Sequence, residues 1–184
     1  MKKVFSIILF LICVEVHSKF HSSYHFTLDK PMPTNSFEGK ISTGFHYQLY
    51  QPFKSIKLPV VLKTGISYSA LKNHLNQHLN NIYLNTGFCR SFKILNVKKL
   101  PNISIKPYFT AGYSIFKDKI TNNCGFSMES GIEIYQSKFF HNYKTALHFS
   151  YRQNFLNEFE YAYQTKSGEF GMFLIGASFF FKNW

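Results

Sequence analysis

Polar and apolar residues alternate along most of this chain of 184 residues, and this period of two constrains its fold more than any other feature. In the clearest segment, residues 37–49, every second position belongs to the set Phe37, Gly39, Ile41, Thr43, Phe45, Tyr47 and Leu49. The positions between them are mostly polar or charged. Such alternation is typical of a β-strand with one apolar and one polar face, because successive side chains point to opposite sides.

The alternation recurs in about eight segments separated by polar or proline-containing stretches. It predicts an all-β fold, an antiparallel up-and-down transmembrane β-barrel of about eight strands, each of about 9 to 11 residues. A barrel of this size is filled by its own side chains, so we do not expect a general diffusion pore. The mean hydropathy of −0.14 argues against a bundle of membrane-spanning helices.

The predicted breaks between strands include four on one side of the barrel: Asp29–Asn35, Ala70–Asn81, Lys117–Asn123 and Gln153–Gly168. The second break has leucines at helical spacing, at positions 71, 75 and 79, and we expect one or two helical turns there. The last break is expected to be either a loop or an extended hairpin. A further break, 93–102, is a basic turn on the opposite side.

The polar face of the strands carries charges of both signs. Its members are Lys40, Lys63, Lys106, Glu129, Glu133, Lys144 and Arg152. In a membrane barrel these side chains would lie inside and pair with one another. A soluble, lipocalin-like barrel would instead bury the apolar face, and alternation by itself leaves that alternative open.

The N-terminal residues have the three parts of a secretory signal peptide. Lys2 and Lys3 form a basic region, 4–14 is apolar, and 16–18 provides a cleavage site. The apolar run is shorter than the roughly 20 residues that a membrane-spanning helix needs. We therefore predict two parts, a signal peptide at 1–18 and a barrel at 19–184.

The C-terminal stretch Gly168–Trp184 is rich in aromatic residues, and every second position from 173 to 181 belongs to the set Phe173, Ile175, Ala177, Phe179 and Phe181. It resembles the closing strand of bacterial outer-membrane β-barrels, which the barrel-insertion machinery recognises. The resemblance implies a bacterial outer-membrane protein whose C-terminus is periplasmic. With an even number of strands, both termini are then periplasmic and the four breaks named above are extracellular. We expect a monomer.

The chain is basic, with a formal net charge of +12. An exported protein meets little nucleic acid, so we expect no nucleic-acid partner. Outer-membrane lipids and the phosphates of lipopolysaccharide are the expected anionic partners. The predicted function is non-enzymatic: envelope integrity, surface binding or adhesion through extracellular loops.

An alternative function rests on His148, Ser150 and Glu169. Their order resembles the outer-membrane lipid A deacylases, which carry an H-x-S motif on the penultimate strand and a Glu on the final strand. The resemblance implies that Ser150 is the nucleophile, His148 its general base and Glu169 the orienting carboxylate. Here the residue after the serine is Tyr151, where that family has Asn.

The remaining chemistry-bearing residues predict no cofactor and no metal site. His74 and His78 lie four positions apart, but no third ligand is near them in sequence. Cys89 and Cys124 are predicted to lie at opposite ends of the barrel, beyond the distance of about 7 Å that a disulfide allows between Cα atoms. We expect both to remain free thiols.

Overall fold

The computed structural model describes residues 21–32, 39–52, 60–72, 78–94, 103–117, 122–140, 143–161 and 164–181. They form strands almost throughout, and no helix among them is long and apolar enough to cross a membrane. The strands are β1 His21–Pro31, β2 Ser42–Pro52, β3 Val61–Lys72, β4 His78–Cys89, β5 Phe92–Ile94, β6 Ile103–Lys117, β7 Asn122–Phe140, β8 Tyr143–Tyr161 and β9 Gln164–Phe181.

Each strand pairs antiparallel with its neighbours, and the ring closes. The first strand pairs with the last over Ser23–Pro31, and β4 pairs directly with β6. The short β5 also lies against β6, beyond Cys89, so β4 and β5 occupy one place in the ring. The result is a closed antiparallel barrel of eight strand positions, which confirms the predicted fold class.

The two faces of the wall differ in polarity, and this decides between a membrane barrel and a soluble one. On β1, Phe26 and Leu28 point outward with 56% and 55% of their surface exposed, whereas His25 and Thr27 are buried inside. On the other strands, too, the outward side chains are mainly Phe, Ile, Leu and Tyr. Because a soluble barrel would bury these residues, the fold is that of a transmembrane β-barrel.

The two ends of the barrel can be told apart by the chain termini. The terminal end is defined here by the start of β1 and the end of β9, where Ser23 pairs with Phe180. The distal end is the opposite one, where β1, β3, β6 and β8 finish. The segments that join β1 to β2, β3 to β4, β6 to β7 and β8 to β9 therefore all belong to the distal end.

The wall is taller on one side than on the other. Strands β1 and β2 have 11 residues each, whereas β7 and β8 have 19 and β9 has 18. The β8–β9 pair continues to Tyr161 and Gln164 after a register shift between Leu156 and Phe159. The extended-hairpin alternative for Gln153–Gly168 is thus confirmed, and these strands are longer than predicted.

The prediction of helical turns in Ala70–Asn81 is wrong at both ends of that segment. Residues 70–72 belong to β3 and 78–81 to β4, and Leu71 pairs with Leu79 across the hairpin. Both leucines are buried in the lumen. The prediction failed because the lumen is apolar at its distal end, so inward leucines interrupt the polar-inward pattern. Leu75 lies outside the described residues.

Two predicted strand limits also need correction. The strand β1 continues through Asp29 to Pro31, where a break was predicted to begin. The strand β2 begins at Ser42, although alternation predicted a strand from Phe37. Gly39 has φ of 71°, a left-handed conformation that glycine adopts easily and that ends an extended strand. Residues 33–38 lie outside the described part.

The closing strand has apolar residues on both faces, and the structure separates their roles. Phe173 and Ile175 point outward and are about half exposed, whereas Met172 and Leu174 are buried in the lumen. The even spacing seen in the sequence therefore marks the outer surface. The signal-peptide prediction for 1–18 and the final residues 182–184 lie outside the described residues.

Candidate functional site in the barrel lumen

The lumen is filled by side chains in three layers. At the distal end lies an apolar cluster of Leu71, Leu79, Phe116, Leu156, Phe170, Met172 and Leu174. At the terminal end lies a second cluster of Tyr50, Cys89, Tyr108, Ala146 and Phe180. Between them the described side chains are mostly polar or charged and almost fully buried.

One buried ion pair joins β7 to β8. Arg152 donates from Nε and Nη2 to Oε2 of Glu129 over 2.9 and 2.7 Å. Tyr108 donates its hydroxyl proton to the other oxygen, Oε1, over 2.6 Å. The guanidinium also lies 4.2 Å from the ring centre of Tyr83. Both charges are thus compensated, as burial requires.

A second ion pair crosses the lumen. Lys63 on β3 donates to Oε1 of Glu133 on β7 over 2.8 Å. Tyr50 donates to the same oxygen over 2.7 Å, and Tyr135 donates to Oε2 over 2.6 Å. Lys106 lies 3.8 Å from Oε2. Glu133 therefore links strands on several sides of the barrel.

These contacts confirm most of the charge pairing predicted from the sequence. Lys63, Glu129, Glu133 and Arg152 are buried, and Lys106 is half-buried. The prediction that Lys40 lies inside the barrel is wrong. Lys40 precedes β2 and is exposed at the distal rim, because the strand begins two residues later. The side chain of Lys144 lies outside the described part of the chain.

Three histidines occupy the middle layer, and sequence reasoning placed only one of them in a site. His25, His46 and His148 are each no more than 1% exposed. The Nδ1 atoms of His25 and His148 lie 3.3 Å apart. His46 contacts Thr27 through Nε2 at 2.9 Å.

Asp29 is a further buried group that sequence reasoning missed. It accepts hydrogen bonds from Thr27, over 2.6 Å, and from Ser69. Its place on the inward face follows from the β1 alternation, but the neighbouring prolines predicted a break there. Continuing the period of two past Leu28 would have found it.

The residues of the predicted catalytic triad are only partly brought together. His148 Nε2 lies 3.1 Å from Ser150 Oγ, and both side chains are buried in the lumen. Glu169 lies on the outward face and pairs with Phe155, whereas His148 pairs with Gly176, seven positions along β9. Glu169 therefore does not reach the pair, because its odd position points it away from the lumen.

Glu129 is the carboxylate that comes near this pair, but its position does not make a triad. Its Oε1 lies 3.9 Å from His148 Nε2, the same nitrogen that faces Ser150. In a triad the carboxylate holds the other ring nitrogen. That nitrogen, Nδ1, faces His25 instead. His148, Ser150 and Glu129 thus belong to one buried hydrogen-bond network.

The cysteine prediction is confirmed. Cys89 and Cys124 are free thiols. Cys89 pairs with Val61 near the terminal end, and Cys124 pairs with Ile115 near the distal end. Of the two histidines considered as metal ligands, His74 and the side chain of His78 lie outside the described residues.

Comparison with known proteins supports the fold and does not identify a family. Neither a family model nor a curated protein sequence matches this chain. Among solved structures, Neisserial surface protein A aligns with a TM-score of 0.54 at 13% identity, over 89% of this chain and 97% of its own.

Two further alignments are weaker. The attachment invasion locus protein Ail of Yersinia pestis aligns with a TM-score of 0.42 at 12% identity, over 89% of this chain and 99% of its own. A de novo designed transmembrane β-barrel aligns with a TM-score of 0.44 at 14% identity, over 87% and 94% of the two chains. The closed ring of strands and the alignment with Neisserial surface protein A show that the chain has the architecture of the small outer-membrane β-barrels.

Substitutions in the Glu129–Arg152 pair test whether this buried ion pair stabilises the barrel. We expect Glu129→Gln to reduce the free energy of unfolding by about 3–5 kcal/mol, because a buried guanidinium loses its carboxylate. Adding Arg152→Met should restore part of this loss. The measurement is a double-mutant cycle by urea unfolding in detergent micelles.

The control for this cycle is Ser130→Ala, the outward neighbour of Glu129, for which we expect a change within about 0.5 kcal/mol. Strictly additive effects of Glu129→Gln and Arg152→Met would contradict the pairing.

Proposed function

We propose that this protein is a non-enzymatic bacterial outer-membrane β-barrel that binds the lipopolysaccharide leaflet and presents its distal hairpins at the cell surface. The observation that carries the proposal is an apolar outer wall around a filled, charge-paired lumen. Such a barrel is stable in a membrane, and its plugged interior is unsuited to passage of solutes. The outer surface and the two ends of the barrel are then the parts that act in envelope integrity, surface binding or adhesion.

The signal-like residues 1–18 and the aromatic closing strand support export and insertion by the barrel-insertion machinery. Both barrel termini lie at one end. In the proposed orientation this terminal end is periplasmic and the distal end is extracellular. At the proposed periplasmic end two residues join Phe140 to Tyr143, a length typical of outer-membrane barrels, whereas the joins 53–60 and 95–102 at the same end are longer.

Positive charge at the distal rim supports a partner in the outer leaflet. Lys30, Lys72 and Lys117 point outward at or next to the distal ends of β1, β3 and β6, and all three are exposed. Lys40 is exposed at the same rim. In the proposed orientation these ammonium groups are level with the headgroups, where the phosphates of lipopolysaccharide would meet them.

The β8–β9 hairpin supports the surface-binding part of the proposal. A tilted strand crosses a bilayer with about 9 to 11 residues. β8 has 19, and its pairing with β9 continues to the tip. The excess length gives a paired ribbon that extends beyond the wall formed by the shorter strands. Phe159 and Tyr161 lie on this ribbon at alternate positions.

The orientation can be tested by cysteine labelling of intact cells. In a Cys89→Ser, Cys124→Ser background, we expect Ala162→Cys, between β8 and β9, to react with a membrane-impermeant maleimide. We expect Asn142→Cys, between β7 and β8, to react only after the outer membrane is permeabilised. Labelling of position 142 on intact cells, with none at 162, would reverse the orientation.

The lysine rim can be tested with purified lipopolysaccharide as the probe. The variant Lys30→Gln, Lys72→Gln, Lys117→Gln should bind it up to about a hundredfold more weakly, at about 1 kcal/mol for each lysine near an anionic surface. The matched control is Arg90→Gln, Lys93→Gln, which removes exposed charge near the terminal end. Equal loss in both variants would indicate non-specific charge attraction and refute the rim as the binding site.

A lipid A deacylase is the competing function, and the 3.1 Å contact between His148 and Ser150 is the observation in its favour. Under our proposal, lipid A from cells that express the protein has the same acyl chains as lipid A from cells with Ser150→Ala. Mass spectrometry of lipid A measures this directly. Loss of one acyl chain that is abolished by Ser150→Ala would establish the enzyme and refute the non-enzymatic proposal.

A further inference from the structure

We propose that the middle of the lumen is a binding site for one divalent transition-metal ion, held by His25, His148 and Glu133. Each residue offers one ligand atom, and the three atoms lie within 4.8 Å of one another. All three side chains are buried. They come from β1, β7 and β8, so the site would link three strands across the barrel.

The spacing of the two imidazoles fits two ligands of one metal ion. His25 Nδ1 and His148 Nδ1 lie 3.3 Å apart. Two nitrogens bound to one tetrahedral Zn²⁺, each at about 2.0–2.1 Å, lie about 3.3–3.4 Å apart.

The hydrogen-bond partners of His148 leave its inward nitrogen free to bind a cation. Tyr108 donates its single hydroxyl proton to Glu129, and its oxygen lies 3.1 Å from His148 Nε2. That oxygen can therefore only accept from the ring. With the proton on Nε2, His148 Nδ1 carries a lone pair that faces His25.

His25 has a matching arrangement on the other side. The Ser23 hydroxyl lies 2.6 Å from His25 Nε2. Tyr50, which donates its proton to Glu133, lies 3.4 Å from the same nitrogen, where its oxygen can only accept. A proton on Nε2 places a second lone pair on Nδ1, within 2.8 Å of the Ser178 hydroxyl. The outer nitrogen of His148 thus faces a tyrosine that is bonded to a carboxylate, and the outer nitrogen of His25 faces Ser23 as well as such a tyrosine. Metal-binding histidines commonly direct their second N–H to a polar group.

Glu133 has capacity for one more partner. An ionised carboxylate offers about four acceptor positions. Tyr50, Lys63 and Tyr135 take three of them, and the Lys106 ammonium lies 3.8 Å from Oε2, an ion-pair distance that is too long for a hydrogen bond. Two imidazoles and one carboxylate form a donor set that suits Zn²⁺ or Cu²⁺ rather than Mg²⁺ or Ca²⁺, which prefer oxygen ligands.

The first experiment measures zinc content. The chain 19–184 without an affinity tag is refolded from urea into detergent micelles with Zn²⁺, and excess metal is removed. Mass spectrometry of metal content should give about one zinc per chain. His25→Asn and His148→Asn should each lower zinc affinity by at least about tenfold.

Two matched variants are controls. His46→Asn removes an equally buried histidine of the same layer that bonds to Thr27, and His21→Asn removes an exposed one. Both should retain zinc. Folding of every variant is checked by heat-modifiable gel mobility, so that loss of metal is not confused with loss of the barrel.

A second measurement needs no variant. Refolding with Cu²⁺ should give an electron paramagnetic resonance spectrum with hyperfine coupling to two imidazole nitrogens. Absence of stoichiometric zinc and copper in the folded wild-type barrel would overturn the proposal and leave a proton shared between the two Nδ1 atoms. Zinc retained in a folded His25→Asn, His148→Asn variant would also overturn it. None of these outcomes depends on the orientation or surface role proposed above.

Discussion

The pairing of β1 with β9 is the interaction on which the rest of this structure depends. Backbone N–H and C=O groups cannot be left unpaired in a bilayer, so a sheet spans it only when its first and last strands meet. Here nine consecutive residues of β1 pair with β9, from Ser23 to Pro31. Closure gives every strand an inside and an outside, and the period of two in the sequence then assigns each side chain to lipid or lumen.

A ring of eight strand positions is narrow, and this imposes a second constraint. Inward side chains meet across the axis, so a charge placed there loses most of its water and must find partners among its neighbours. Glu133 illustrates the consequence, since Lys63 on β3 and Tyr50 on β2 reach it from two other strands and Tyr135 bonds to it from its own strand. The apolar clusters at both ends separate this polar layer from solvent, which raises the cost of removing any single partner.

The sequence predicted which face of a strand each residue occupies, because that depends only on whether its position is odd or even. It did not predict which residues lie opposite each other on neighbouring strands. Alternation put Phe26 and Leu28 on the apolar face of their strand and Lys63 and Glu133 on the polar face of theirs, and the membrane interpretation then assigned these faces to lipid and lumen. It could not place Glu169 relative to His148, since order along the chain does not fix which positions pair across two strands. The prediction of helical turns at the leucines of the β3–β4 hairpin was wrong for another reason. Inward side chains are polar in the middle of the lumen, but they are apolar at its distal end.

His25 and His148 lie close together because of how the strands pair, and no local sequence motif predicts this contact. The two residues are 123 positions apart, and β9 lies between their strands. Pairing places Ser178 opposite His25 and Gly176 opposite His148. Gly176 has no side chain, and the side chain of Ser178 is small, so little stands between the two imidazoles on the inner surface of β9. A larger residue at either position would separate the rings, and the proposed metal site therefore depends on β9 as much as on its ligands.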